Sequence, residues 1–148
     1  MLSAKTQYAL HALTYLGERY GQDPIPINRI AEERKMPYKF LEAILLELRN
    51  NGILGSKAGK SGGYYLLKKP AEIQLVDVIR FVDGPIAQLP CVSKKFYEPC
   101  RVCPYPEDKC HLRKFFIQVR DATLNVIEGK SLQDLINMEP GFPVEFSI

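Results

Sequence analysis

The sequence has no run of apolar residues long enough to cross a bilayer, which argues against a membrane-spanning protein. It shows no secretory leader either. The apolar stretch 8–16 is short, is broken by His11, and is not followed by a small-residue cleavage pattern. There is no internal repeat and no low-complexity tract, so solenoid and disordered classes are set aside. Only two histidines occur, His11 and His111, and neither has the neighbours of a catalytic triad. Cysteine is missing from residues 1–90 and from 111–148. A cytoplasmic address is expected, where thiols stay reduced and a cluster of cysteines favours metal or redox chemistry over structural cross-links.

What cysteine there is lies together. Cys91, Cys100, Cys103 and Cys110 follow the spacing Cys-x8-Cys-x2-Cys-x6-Cys in a segment containing Pro90, Pro99, Pro104 and Pro106, which predicts a loop. Thiolates bind zinc and iron–sulfur clusters, and two of them three residues apart can share one metal or one cluster. A structural zinc on the same four sulfurs and a pair of disulfides remain open readings. A thiol oxidoreductase would place its Cys-x-x-Cys at the start of a helix in a βαβ unit; Cys100 and Cys103 lie in a proline-rich loop, so no enzyme is expected.

At 148 residues, 46% of them hydrophobic, the chain can bury one ordinary core. The net charge of +3 is uneven: residues 1–70 hold 11 Lys and Arg against 6 Asp and Glu, a balance of +5, and residues 71–148 hold 9 against 11, a balance of −2. The basic half is the candidate for contact with a polyanion.

Periodicity predicts mainly helix. Ser3 caps a first helix with Ala9, Ala12, Leu13, Leu16 and Tyr20 on its apolar face and Gly21 at its end. After Pro24 and Pro26 comes a short helix near 28–34 with Ile27, Ile30 and Ala31 inward. Pro37 opens a third helix whose buried stripe is Phe40, Leu41, Ile44, Leu45 and Leu48, leaving Tyr38, Lys39, Glu42 and Ala43 mostly outside. Two helices joined by a tight turn, the second with a polar face, form a helix-turn-helix pattern. A β-hairpin follows, from 53–54 to 64–67, reversing through Gly59, Gly62 and Gly63 and carrying Lys57, Lys60 and Ser61 at its tip. A helix-turn-helix followed by a basic hairpin is the layout of a winged helix. A helix over 75–82 ends at Gly84. A long one over 111–128 carries Leu112, Phe115, Phe116, Val119, Ala122, Thr123, Val126 and Ile127 on a broad apolar face, and ends at Gly129. Ser131 and Asp134 can cap a last short turn. So small a chain offers that long helix little to pack on, and a second copy of the chain would supply it. The fold class expected is mainly α: a winged helix-turn-helix domain over 1–84, a cysteine-rich sensor loop over 85–110, and a dimerisation helix with a tail over 111–148. The tail, 141–148, alternates apolar and polar residues and suggests no function.

Several stretches carry a family resemblance: 8–13 (YALHAL), 30–32 (IAE), 40–42 (FLE) with Leu48, 59–66 (GKSGGYYL), 78–84 (VIRFVDG), and the cysteine loop before a long helix. Over roughly 1–136 the chain resembles the Rrf2 family of bacterial transcription regulators. The resemblance implies a homodimeric winged-helix regulator, expected here to be a repressor, binding double-stranded promoter DNA. It also implies that many members hold an iron–sulfur cluster reporting on iron–sulfur supply, nitric oxide or redox state, while others hold none and respond by different means.

By that resemblance Glu42 matches a base-reading position, with Tyr38 and Lys39 beside it. Lys57, Lys60, Ser61 and Gly62 form the wing that meets phosphate or the minor groove, and Lys5 and Tyr8 touch the backbone from the first helix. An arginine frequent before the wing glycine is Ala58 here. The family pattern of ligands is three cysteines plus one more group, often a histidine three residues beyond the last cysteine; that place holds Arg113, which cannot ligate. Cys91, Cys103 and Cys110 with Cys100 fourth are the expected ligands of a 2Fe–2S or 4Fe–4S cluster. His111, or Gln7 or His11 from a partner's first helix, are alternative donors, and zinc is the alternative metal.

Overall fold

The structure, a computed structural model, describes residues 2–138. It is mainly helical with one two-stranded antiparallel hairpin. The first helix, α1 (Ala4–Gly17), begins at Ser3, whose hydroxyl accepts from the Thr6 amide at 3.1 Å and caps the helix. The Ser3 amide and hydroxyl donate in turn to Asp83, tying the start of α1 to the end of α4 (Leu75–Asp83). Ala9, Ala12, Leu13 and Leu16 are buried, as the periodicity predicts. The helix stops four residues before Gly21, however, and Tyr20 is 43% exposed rather than on the core face. At Gly17 a side-chain carbon would lie 2.6 Å from Ile136 Cδ1, so another helix arrives there, and the chain leaves α1 through tighter bonds, Arg19 to Leu16 and Tyr20 to Gly17.

The helices α2 (Ile27–Glu33) and α3 (Tyr38–Asn50) pack through Ile30, Ala31, Leu41, Ile44, Leu45 and Leu48. Phe40 is not part of this stripe: it is 39% exposed and meets the Tyr8 ring edge-on, centroids 5.4 Å apart. Leu41 in the same turn is fully buried, so Phe40 stands on the flank of the stripe, turned toward α1. The wing is β1 (Leu54–Lys57) paired with β2 (Gly63–Leu66), in register Leu54 to Leu66 and Lys57 to Gly63. Ile25 joins its edge through reciprocal 2.9 Å bonds with Tyr64. A side chain at Gly63 would strike the Ile25 carbonyl at 2.2 Å, so glycine is what lets this third segment approach.

From α4 the chain runs through the cysteine loop into α5 (His111–Ile127), then returns to the head. The return is fixed by the bonds Leu75 to Lys130 and Leu132 to Ile73, 2.9 and 2.8 Å. It seats α6 (Leu132–Ile136) on α1, with Leu132 in the common core. Ser131 and Asp134 form the expected reciprocal cap. By contrast α5 buries fully only Leu124; Phe115 is 59% and Val126 70% exposed. No described helix is long and apolar enough to cross a membrane. The 141–148 tail lies outside the described residues.

Candidate nucleic-acid interface and cysteine pocket

Pro37 sets the chain into α3 without using a side chain as a cap, which leaves the first turns of the helix clear. Tyr38, Lys39 and Glu42 are all exposed there, with Lys39 Nζ 3.7 Å from Glu42 Oε2. Such an exposed pair is weak and leaves both groups available to a partner. Lys57, Lys60 and Ser61 project from the wing tip, and Gly62 closes its turn through a 3.0 Å bond to the Gly59 carbonyl. At Gly62 a side-chain carbon would lie 2.1 Å from the Lys57 carbonyl oxygen, so the tip conformation requires glycine. Lys5 and Tyr8 are engaged within the fold: Lys5 Nζ lies 2.7 Å from Glu47 on α3, and Tyr8 meets Phe40. Arg49, in the last turn of α3, reaches Ser56 of the wing at 3.4 Å and joins helix to hairpin. Periodicity marks it only as a solvated helix end; its seven-residue offset from Ser56 gains meaning once the hairpin is folded.

The second site is a cavity of about 190 Å³ between the cysteine loop and the start of α5. All four cysteines line it as free thiols, together with Glu107 and Arg113. Cys91 is buried in the 3-10 turn Pro90–Val92, and burial, with Cys100 beside it, pushes its thiol up. Cys110 is the N-cap of α5 and accepts from the Arg113 amide at 3.5 Å; that bond, then one from Cys103, draws its thiol below the ordinary value. Cys103 lies 3.4 Å from Cys110, sulfur to sulfur. Its thiol is held down by the Tyr105 amide but is raised on balance, because it donates to Cys110 and is partly desolvated.

Around the sulfurs runs a charged frame. The Tyr97 hydroxyl donates to the Glu107 carboxylate, which raises the Tyr97 pKa, and Arg113 Nε stands 3.4 Å from Glu107 as an ion pair without a directed hydrogen bond. Arg120 of α5 donates to the Val92 carbonyl and pairs with Asp121 at 2.8 Å, while Lys94 reaches Asp121 at 3.3 Å. The beginning of the loop is thus clamped to the middle of α5. Sequence spacing gives no hint of Arg120.

His111 does not line the cavity. Gln7 and His11 lie on α1 in a different groove, with Leu10, Thr14, Leu135 and Ile136. Among the described residues, no three Cys, His, Asp or Glu side chains converge tightly enough to hold one metal ion. The sulfurs share a cavity rather than a point.

Comparison with known proteins places these features in a wider group. Residues 2–138 match the model of Rrf2, described as an iron-dependent transcriptional regulator. An rrf2-like HTH-type transcriptional regulator of Rhodobacter capsulatus is 40% identical over 139 residues, covering 92% of each chain. The HTH-type transcriptional regulator CymR of Bacillus subtilis is 29% identical over 140 residues, covering 95% of this chain and 92% of CymR. The solved structure of CymR, the global cysteine regulator of that organism, superposes with a TM-score of 0.76 at 28% identity over 95% of this chain and 98% of CymR. The structure of an IscR from T. potens shares the fold, with a TM-score of 0.72 at 22% identity over 95% and 93% of the two chains.

Proposed function

The chain belongs to the Rrf2 family of transcriptional regulators, and from that premise we propose that it is a homodimeric repressor whose grip on promoter DNA depends on what its cysteine pocket holds. The observation that carries this reading is positional. Four thiols scattered over twenty residues line one cavity, and that cavity stands at the N-terminus of the helix whose apolar face is left bare.

Each winged head presents α3 to the major groove. Glu42 accepts from a cytosine amino group, and Lys39 meets a guanine edge or a phosphate. Lys57 and Lys60 hold phosphates from the wing, and Arg49 keeps wing and helix in one orientation. Two heads joined through the Phe115 and Val126 face of α5 match an operator with approximate two-fold symmetry.

The pocket suits an iron–sulfur cluster. Its donors are soft sulfurs, and the α5 N-terminus offsets part of their negative charge, while Arg113 is balanced by Glu107 on the same wall. Four soft sulfur donors on one cavity are the ligand chemistry of an iron–sulfur cluster, and zinc is the competing occupant. Cys91, Cys103 and Cys110, with Cys100 fourth, would hold it, and it would supply reactivity toward oxidants or nitric oxide. Cys110 caps α5, and Arg120 links α5 to the turn containing Cys91, so a group held by these sulfurs would be coupled to the helix that joins the two heads.

Oxygen-free purification of the full chain, followed by an absorption spectrum and assays for iron, sulfide and zinc, tests the pocket. The reading expects a visible chromophore with iron and sulfide that is lost in Cys91→Ala. Zinc in place of iron, or metal-poor colourless protein, would overturn the cluster assignment while leaving the DNA-binding assignment standing.

A further inference from the structure

We infer that Cys103 and Cys110 are the two halves of a reversible disulfide that forms when the pocket holds no metal. This concerns the metal-free state of the pocket and stands whether or not a cluster ever binds there.

The four thiols are not equivalent. Cys91 is shut away in its turn at 3% exposure, and Cys110, at 8%, is reached through the cavity it lines. Cys100 and Cys103 are half-buried on the same cavity wall. The one thiol–thiol contact among the described residues joins Cys103 to Cys110 at 3.4 Å. A disulfide bond is about 2.0 Å long, so closure needs a movement of little more than an ångström. The chain between them already doubles back: Lys109 bonds to the Pro106 carbonyl at 3.0 Å and Cys110 to that of Glu107 at 3.3 Å, bringing the ends of residues 104–109 together.

Their surroundings assign the roles. Cys110 faces the amide end of a 17-residue helix and shares the cavity wall with Arg113, the setting of an attacking sulfur. Cys103 is the neighbour placed to resolve it. With hydrogen peroxide as the two-electron oxidant, the Cys110 sulfur attacks one peroxide oxygen, the O–O bond breaks, and hydroxide leaves and is protonated to water. The Cys103 sulfur then attacks the Cys110 sulfenic acid, the S–O bond breaks, and a second hydroxide leaves as water. The two thiols supply the two protons and two electrons, and one peroxide becomes two waters. The link pins the loop to the first turn of α5 and removes two of the four sulfur donors, so disulfide and metal exclude each other.

The test uses the full chain, stripped of metal by a chelator under reductant, freed of both, and treated with peroxide before alkylation, digestion and mass spectrometry. Free thiols are expected to fall from four to two, with a peptide linked from Cys103 to Cys110 within one chain, and a dithiol reductant restores all four. Cys103→Ser is expected to stop at a Cys110 sulfenic acid trapped by dimedone, and Cys100→Ser to keep the link. A different pairing, a link between chains, or four surviving thiols in excess peroxide would overturn the inference. Iron and sulfide content of separately loaded protein reports on the cluster reading, so each can fail without the other.

Discussion

The winged head and the cysteine collar with its helix are built on different terms. The head closes on itself: α1, α2, α3, the wing and α6 share one core that includes Leu13, Ile30, Leu45, Leu54, Leu66 and Leu132. The collar buries little beyond Cys91, Val92, Ser93, Cys110 and Leu124, and leaves Phe96, Tyr97, Val102, Tyr105, Leu112, Phe115 and Val126 in the open. A region that fills its own core has its shape set by its own sequence. A region that leaves apolar surface in the open and four free thiols on one cavity keeps groups available to a partner, as the proposed sensing role requires.

The sharpest way to break this comparison is a truncation in each region. Leu45→Ala, in the fully buried stripe of α3, is expected to cost about 2–5 kcal/mol in urea unfolding. Val126→Ala, on the open face of α5, is expected to leave stability within about 0.5 kcal/mol when the same experiment is run dilute enough to keep the chain monomeric. Phe115→Asp should weaken self-association at least tenfold by analytical ultracentrifugation, with the helical circular dichroism of the head retained. An equal loss of stability from Leu45→Ala and Val126→Ala would erase the distinction.

Within the head, the reading surface can be divided further. Glu42→Ala is expected to relax base preference at one operator position by about 1–3 kcal/mol in competition titrations against mutated duplexes. Lys60→Ala is expected to weaken binding evenly across sequences and to lower the salt slope by about one.

The smallest effect is on the link between Ser3 and Asp83. Burial pushes the Asp83 carboxyl up, but the Ser3 hydroxyl and amide outweigh it and hold its pKa below the ordinary carboxylate value. A depressed folded-state pKa adds stability above the unfolded value and loses it as pH falls through the folded one. Asp83→Asn should therefore flatten the acid limb of the stability profile, below about pH 4, and change little near neutrality.

Local features of this fold were legible in the sequence, and long-range ones were not. The Ser3 cap, the Leu41, Ile44, Leu45 and Leu48 stripe, the glycine hairpin and the Ser131 cap each depend on neighbours a few residues away, and each is found where spacing puts it. Tyr20 continues a helical period past Gly17, where the bonds tighten to those from Arg19 to Leu16 and from Tyr20 to Gly17 and the side chain turns outward. Phe40 fits the stripe by period but stands on its flank, against Tyr8 of α1. The cysteine loop reads as one site, and the four sulfurs do share a cavity. Spacing draws attention to Cys100 and Cys103, whereas the sulfur contact is between Cys103 and Cys110, because the 3-10 turn Glu107–Lys109 folds the chain back. Arg49 and Arg120, which join elements, carry no local signature at all.

The most direct measurement is operator affinity of the full chain, prepared without oxygen, with its pocket loaded and with it stripped, at one fixed salt concentration. A difference of tenfold or more, about 1.4 kcal/mol of coupling, is the predicted result, and Cys91→Ala should behave as the stripped protein. Equal affinities from samples whose iron and sulfide contents differ would contradict the coupling between collar and head.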